Sequence, residues 1–135
     1  MFRTLIVEDS AFYRQLLKEA LHSRFPKMDI TEATNGEEAL QKIEILLPYL
    51  VFMDIKLPGE SGLELTKKIK AQYPNIIIII LTAYNIPEYR EAAVQAKADY
   101  FLSKGSTSKE DILTLVDSIL SDRRIEHSGS KGRNF

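Results

Sequence analysis

Four short apolar runs in this sequence end in side chains that can do chemistry. Thr4–Val7 runs into Glu8 and Asp9, Leu50–Met53 into Asp54, Ile76–Leu81 into Thr82, and Tyr100–Leu102 into Ser103 and Lys104. Taken singly, each has a plain explanation, because such residues cap turns and finish strands. Gathered at one place they would mean more. Two carboxylates about 4 Å apart repel by on the order of 4 kcal/mol at an effective dielectric near 20, so three together call for a compensating cation. All-oxygen donors suit Mg²⁺, for which Mn²⁺ can substitute, and Mg²⁺ keeps positions for water and phosphate oxygens. Beside such an ion, Lys104 would hold a phosphoryl group by charge and Thr82 by a hydrogen bond. Asp54 then has the role of nucleophile, since carboxylates form acyl-phosphates.

The elements between these residues decide whether they meet. Ser10 can cap a helix whose apolar positions are Phe12, Leu16, Leu17, Ala20 and Leu21. Met28, Ile30 and Glu32 mark a more polar strand, suited to a sheet edge. Asn35 and Glu38 offer a capping-box variant before a stripe of Ala39, Leu40, Ile43, Leu46 and Leu47, which Pro48 stops. Ser61 and Glu64 offer another, opening a helix to about Tyr73. Ile76–Leu81, six branched aliphatics in succession, reads as a central strand buried on both faces. Pro87 suits the first turn of a fourth, alanine-rich helix with a weak apolar stripe. After the strand at Tyr100–Leu102, Ile112, Leu115, Val116, Ile119 and Leu120 form an amphipathic helix starting among Ser106, Thr107 and Ser108.

Five strand–helix pairs in strict alternation predict an α/β fold, a doubly wound (βα)5 parallel sheet with right-handed crossovers. The flavodoxin-like strand order 2-1-3-4-5 sets strands one and three side by side, and their carboxyl ends collect the chemistry. Glu8 and Asp9 then lie beside Asp54, with Thr82 and Lys104 arriving from the other side. Residues 1–122 are expected to form the domain, and 123–135 a disordered tail or the start of a linker.

Composition fits this reading. The 135 residues are 27% charged and 44% apolar, with 18 basic and 19 acidic side chains and a formal charge of −1. That balance carries no footprint of direct nucleic-acid binding. With no cysteine, thiol catalysis and thiolate metal sites are excluded. The apolar runs are too short to span a bilayer, and Met1–Leu5 leads straight into the folded pattern, so a cytoplasmic protein without membrane contact is expected.

Glu8-Asp9, Met53-Asp54-Ile55-Lys56-Leu57-Pro58-Gly59-Glu60-Ser61-Gly62, Leu81-Thr82-Ala83 and Lys104 together resemble the CheY-like receiver domain of two-component response regulators, over about residues 2–121. The resemblance implies transfer of a phosphoryl group to Asp54 from a histidine kinase or phosphotransfer protein. It implies a metal site of Glu8, Asp9, Asp54 and the Lys56 backbone carbonyl, with Thr82 and Lys104 on the phosphoryl oxygens. Phe101, three residues before the lysine, matches the family's switch aromatic, whose inward turn accompanies that of Thr82. The protein is thus expected to be no enzyme, but a phosphoacceptor that takes part in its own phosphorylation and slow autodephosphorylation. Two positions depart from the family pattern: Gly105 stands where proline commonly follows the lysine, and Lys97 where glycine is usual. A positive φ at Lys97 would cost roughly 1 kcal/mol relative to glycine.

Three further expectations follow. Lys56 and Tyr84, two residues beyond Asp54 and Thr82, should border the approach of a hydrolytic water and slow it. The face of the fourth helix, fifth strand and fifth helix should carry the output, by partner docking or homodimerisation. Lys104-Gly105 and the Ser/Gly/Lys tail favour the N-terminal half of a transcriptional regulator over a stand-alone receiver. Two rivals stand outside the family. An aspartate-nucleophile phosphatase of the haloacid-dehalogenase type would carry a second acid at the position of Lys56. A flavodoxin-like cofactor binder would carry a phosphate-cradling loop where Asp9-Ser10-Ala11-Phe12 stands.

Overall fold

The computed structural model describes residues 2–126, with side chains as far as Asp122. Its elements alternate as β1 (Arg3–Val7), α1 (Ala11–Arg24), β2 (Asp29–Ala33), α2 (Gly36–Leu46), β3 (Leu50–Met53), α3 (Gly62–Gln72), β4 (Ile77–Thr82), α4 (Pro87–Gln95), β5 (Tyr100–Ser103) and α5 (Lys109–Glu126). The strands form one parallel sheet in the order β2-β1-β3-β4-β5, as the sequence predicts. Residues 123–126, expected to belong to the tail, instead continue α5, and residues 127–135 lie outside the described residues.

Period-two alternation along the strands divides the core in two. Leu5, Val7, Val51, Met53, Ile78 and Ile80 face the layer of α2, α3 and α4. Ile6, Leu50, Phe52, Ile77, Ile79 and Leu81 face α1 and α5. Every residue of β3 and β4 is buried, which is why those strands read as unbroken apolar runs. Each such side chain contributes about 1.5–3 kcal/mol by leaving water. The edge strand β2 has only Ala33 fully buried.

The caps are local and specific. Ser10 Oγ accepts from Tyr13 N at 3.2 Å, and Ser61 Oγ from Leu63 N at 3.1 Å. Asn35 Oδ1 accepts from Glu38 N at 2.9 Å, while Glu38 reaches back to Thr34 N at 2.7 Å, one residue before the cap. At α5, Ser108 and Asp111 cap each other reciprocally.

Three side chains expected to turn inward do not. Phe12 and Leu16 are exposed on α1, because Leu17, Ala20 and Leu21 occupy its core face. Leu47 is exposed because it ends α2 in the left-handed region, at φ 46°, which swings its side chain off the stripe.

Candidate functional site

Register brings the chemistry together. Val7 pairs with Met53 and Thr82 with Ser103, so the residues just beyond or at these pairs share the carboxyl end of the sheet. Backbone bonds continue past the strands and fix them there. Asp54 N donates to Val7 O at 3.0 Å, Glu8 N to Ala33 O at 3.0 Å, and Lys104 N to Thr82 O at 2.8 Å. Glu8 and Asp54 are buried, Asp9 is exposed, and one carboxylate oxygen from each lies within 4.8 Å of the others.

Lys104 closes this cluster. Its Nζ donates to Glu8 Oε1 at 2.6 Å and to Asp54 Oδ2 at 3.3 Å, and lies 4.2 Å from the centre of the Tyr13 ring. The other oxygens have backbone donors: Ser10 N to Glu8 Oε2 at 3.0 Å and Ile55 N to Asp54 Oδ1 at 2.7 Å. Burial pushes the Glu8 carboxyl above its ordinary value, more than the hydrogen bonds from Lys104 and Ser10 pull it down. Burial also works to lower the Lys104 ammonium, but the Glu8 hydrogen bond and the nearby Asp54 charge outweigh it, and its pKa is raised. One ammonium faces three carboxylates, so the cluster has room for a further cation. The all-oxygen donor set, with Asp9 open to solvent, fits a hydrated divalent ion such as Mg²⁺.

Thr82 is fully buried at the end of β4, and its Oγ1 accepts from Tyr84 N at 3.2 Å. Phe101 pairs with Ile80 across β4 and β5 and is buried in the core, and the Arg90 guanidinium covers its ring at 4.7 Å. Lys56 is exposed, with its Nζ 5.3 Å from the Tyr84 ring centre and 5.7 Å from that of Tyr89. Its pKa is raised, chiefly through the Tyr89 hydroxyl.

Several neighbours were not anticipated. Tyr13, Tyr89 and Arg90 meet their partners across elements, and no local pattern in the chain announces such contacts. Arg14 donates from its Nη1 to the Glu8 carbonyl at 2.8 Å, tying α1 to the acidic turn. Gly62 had a readable signal, a glycine just after the Ser61 cap. A Cβ there would lie 1.9 Å from the Asp54 carbonyl oxygen, so no side chain fits without moving the backbone of Asp54.

Comparison with known proteins agrees with this geometry. The response regulator receiver domain family matches residues 4–117, and the chain belongs to that family. It is 36% identical to the chemotaxis protein CheY of Halobacterium salinarum over 118 residues, covering 87% of this chain and 96% of that one. It is 34% identical to the response regulator GacA of Pseudomonas protegens over 110 residues, covering 82% of this chain and 52% of GacA. The chain spans about half, or less, of the length of several curated relatives it matches. Among solved structures, the response regulator TrrA of Thermotoga maritima in complex with Mg²⁺-BeF superposes with a TM-score of 0.77 at 37% identity, covering 87% of this chain and 98% of that one. Among the described residues, no helix is long and apolar enough to cross a membrane.

Proposed function

We propose that this receiver domain accepts a phosphoryl group on Asp54 from the phosphohistidine of a histidine kinase or phosphotransfer protein. An Asp54 carboxylate oxygen forms the new bond to phosphorus as the bond to the histidine nitrogen breaks, the electron pair staying on that nitrogen. The observation that carries the reading is the gathering of Glu8, Asp9 and Asp54 within 4.8 Å, closed by an ammonium bonded to two of them. Glu8, Asp9, Asp54 and the Lys56 backbone carbonyl would hold Mg²⁺, which when bound neutralises phosphoryl charge. Lys104, released from the carboxylates it bridges, would pair with a phosphoryl oxygen. Thr82 would exchange its bond from Tyr84 N for a bond to another, and Phe101, which is already buried, would keep the inward position expected of the switch aromatic. Lys56 and Tyr84 would border the water that hydrolyses the acyl-phosphate and so prolong it.

Acetyl phosphate with Mg²⁺ should label the wild type at Asp54, located by mass spectrometry after borohydride trapping. Chelation of the metal and Asp54→Asn should each abolish the label. A label elsewhere, with Asp54 clean, would overturn the mechanism.

For the output, the favoured reading is the N-terminal receiver of a longer transcriptional regulator, supported by the similarity, at 35% identity, to 48% of the transcriptional activator protein ExaE of Pseudomonas putida. Similarity to nearly the whole of a CheY supports the second reading, a stand-alone receiver that acts by docking a partner. The open reading frame beyond the codon for residue 135 decides between them.

A further inference from the structure

Lys56 and Tyr84 leave adjacent loops, after β3 and after β4, and both side chains are exposed. An exposed lysine has high rotamer entropy and by itself would range widely. A third side chain gives these two a common seat. Tyr89, in the first turn of α4, meets Tyr84 edge to face, with centroids 6.3 Å apart and planes at 81°. The Lys56 ammonium lies within 6 Å of both ring centres, close enough for each ring to attract it. Of the three, only Tyr89 packs against the buried core. It is therefore the fixed member. The start of α4 also lacks a side-chain cap, since Ile86 stands at that position, so the contacts across to Lys56 help to seat its first turn.

We propose that Tyr89 is a positioning residue, the ring on which Tyr84 and the Lys56 ammonium rest, and that it thereby holds the Lys56 charge at the lip of the Asp54 site. The inference rests on Asp54 being the phosphoacceptor with Lys56 and Tyr84 beside the water's path. In the step concerned, a water oxygen bonds to phosphorus as the bond from phosphorus to the Asp54 oxygen breaks. The electron pair returns to the Asp54 carboxylate, and the water's proton leaves on inorganic phosphate or to solvent. A lysine released into solvent no longer screens that approach.

Decay of the phosphorylated protein after donor removal, at constant Mg²⁺, is the first readout. Tyr89→Leu should shorten the lifetime about threefold or more in the wild type. In a Lys56→Met background the same change should do little, because its effect passes through Lys56, and Tyr89→Phe, which keeps the ring but loses the hydroxyl beside the Lys56 ammonium, should shorten the lifetime less than Tyr89→Leu. An unchanged lifetime in Tyr89→Leu, or equal shortening in both backgrounds, overturns the proposal. The second readout needs no phosphorylation: the Lys56 side-chain methylene protons should show upfield ring-current shifts by NMR, reduced in Tyr89→Leu and reduced less in Tyr89→Phe, which keeps the ring without the hydroxyl. If acetyl phosphate fails to label the wild type, the reading of Asp54 fails, while these shifts still decide whether Tyr89 positions Lys56. Shifts indifferent to Tyr89→Leu would reject that role.

Discussion

Lys97 is where a single residue works against its backbone. It stands just past α4 at φ 69°. Ala98 N donates to Ala93 O at 3.0 Å and Lys97 N to Val94 O at 3.0 Å, the paired bonds of a Schellman motif. That motif puts its left-handed residue where glycine is free of Cβ crowding and lysine is not. Lys97→Gly should therefore stabilise the domain by about 1 kcal/mol, seen as a higher urea midpoint with an unchanged slope. A lower midpoint would mean that the lysine side chain makes contacts worth more than the strain. This strain was readable in the chain, because a lysine occupies a place where the family pattern has glycine. The similar strain at Leu47, φ 46°, was not. Pro48 marked the helix end, but nothing fixed which residue before it would turn left-handed. The same division holds at the site. Glu8, Asp9, Asp54 and Lys104 were legible because each follows a strand and the sheet order is predictable. Tyr13, Tyr89 and Arg90 were not, because their contacts depend on side-chain directions in other elements.

At the scale of elements, the alternation of strands and helices was legible throughout, whereas the rotation of each helix was less so. Phe12 and Leu16 share α1 with the buried Leu17 and Leu21, and hydrophobicity alone does not say where the inward stripe stops. Charge settles part of that orientation. Arg14 and Lys18, one turn apart on α1, both bond to Glu32 of β2, at 2.8 and 3.1 Å. They lash the edge strand to the helix above it. Partial burial works to raise the Glu32 carboxyl, but the hydrogen bonds from Lys18 and Arg14 outweigh it and hold it below its ordinary value. A carboxyl with a depressed folded pKa adds stability above its unfolded pKa and loses it as pH falls through the folded one. Because the group is about one-third exposed, screening leaves about 0.5–1 kcal/mol. Glu32→Gln should cost that much near pH 7, and the gap to the wild type should close as pH falls below about 4. Urea midpoints for both proteins at several pH values test this. A gap that stays constant with pH would assign the loss to packing instead of charge.

At the scale of the whole molecule, the two ends of the sheet differ in how firmly they are held. At the end away from the site, Lys70 and Asp99 form a buried ion pair at 2.9 Å. Lys70 Nζ also donates to Pro74 O and Ile76 O, and Asp99 Oδ2 accepts from Ile78 N. Breaking one partner of such a pair costs about 3–5 kcal/mol, so this end joins α3, β4 and the start of β5 rigidly. At the carboxyl end, α4 buries only Ala93 and has no side-chain cap. Its further ties are the stacked Arg90 over Phe101 and the contacts of Tyr89 with Tyr84 and Lys56. Those ties lead back to the loops that carry Asp54 and Thr82. A phosphoryl group that redirects Thr82, and with it the packing of the buried Phe101, would thus disturb the seat of α4 while the opposite end holds. Contact density of this kind governs local opening, and a weakly packed helix shifts at lower energy than a well-packed one. Beryllofluoride with Mg²⁺ serves as the phosphoryl mimic. On binding, amide hydrogen exchange should change more in α4 and β5 than in α2, whose Ala39 and Ile43 are fully buried. The Lys70–Asp99 end should change least. Changes in α2 as large as those in α4 would remove the α4–β5–α5 face from its proposed role in output.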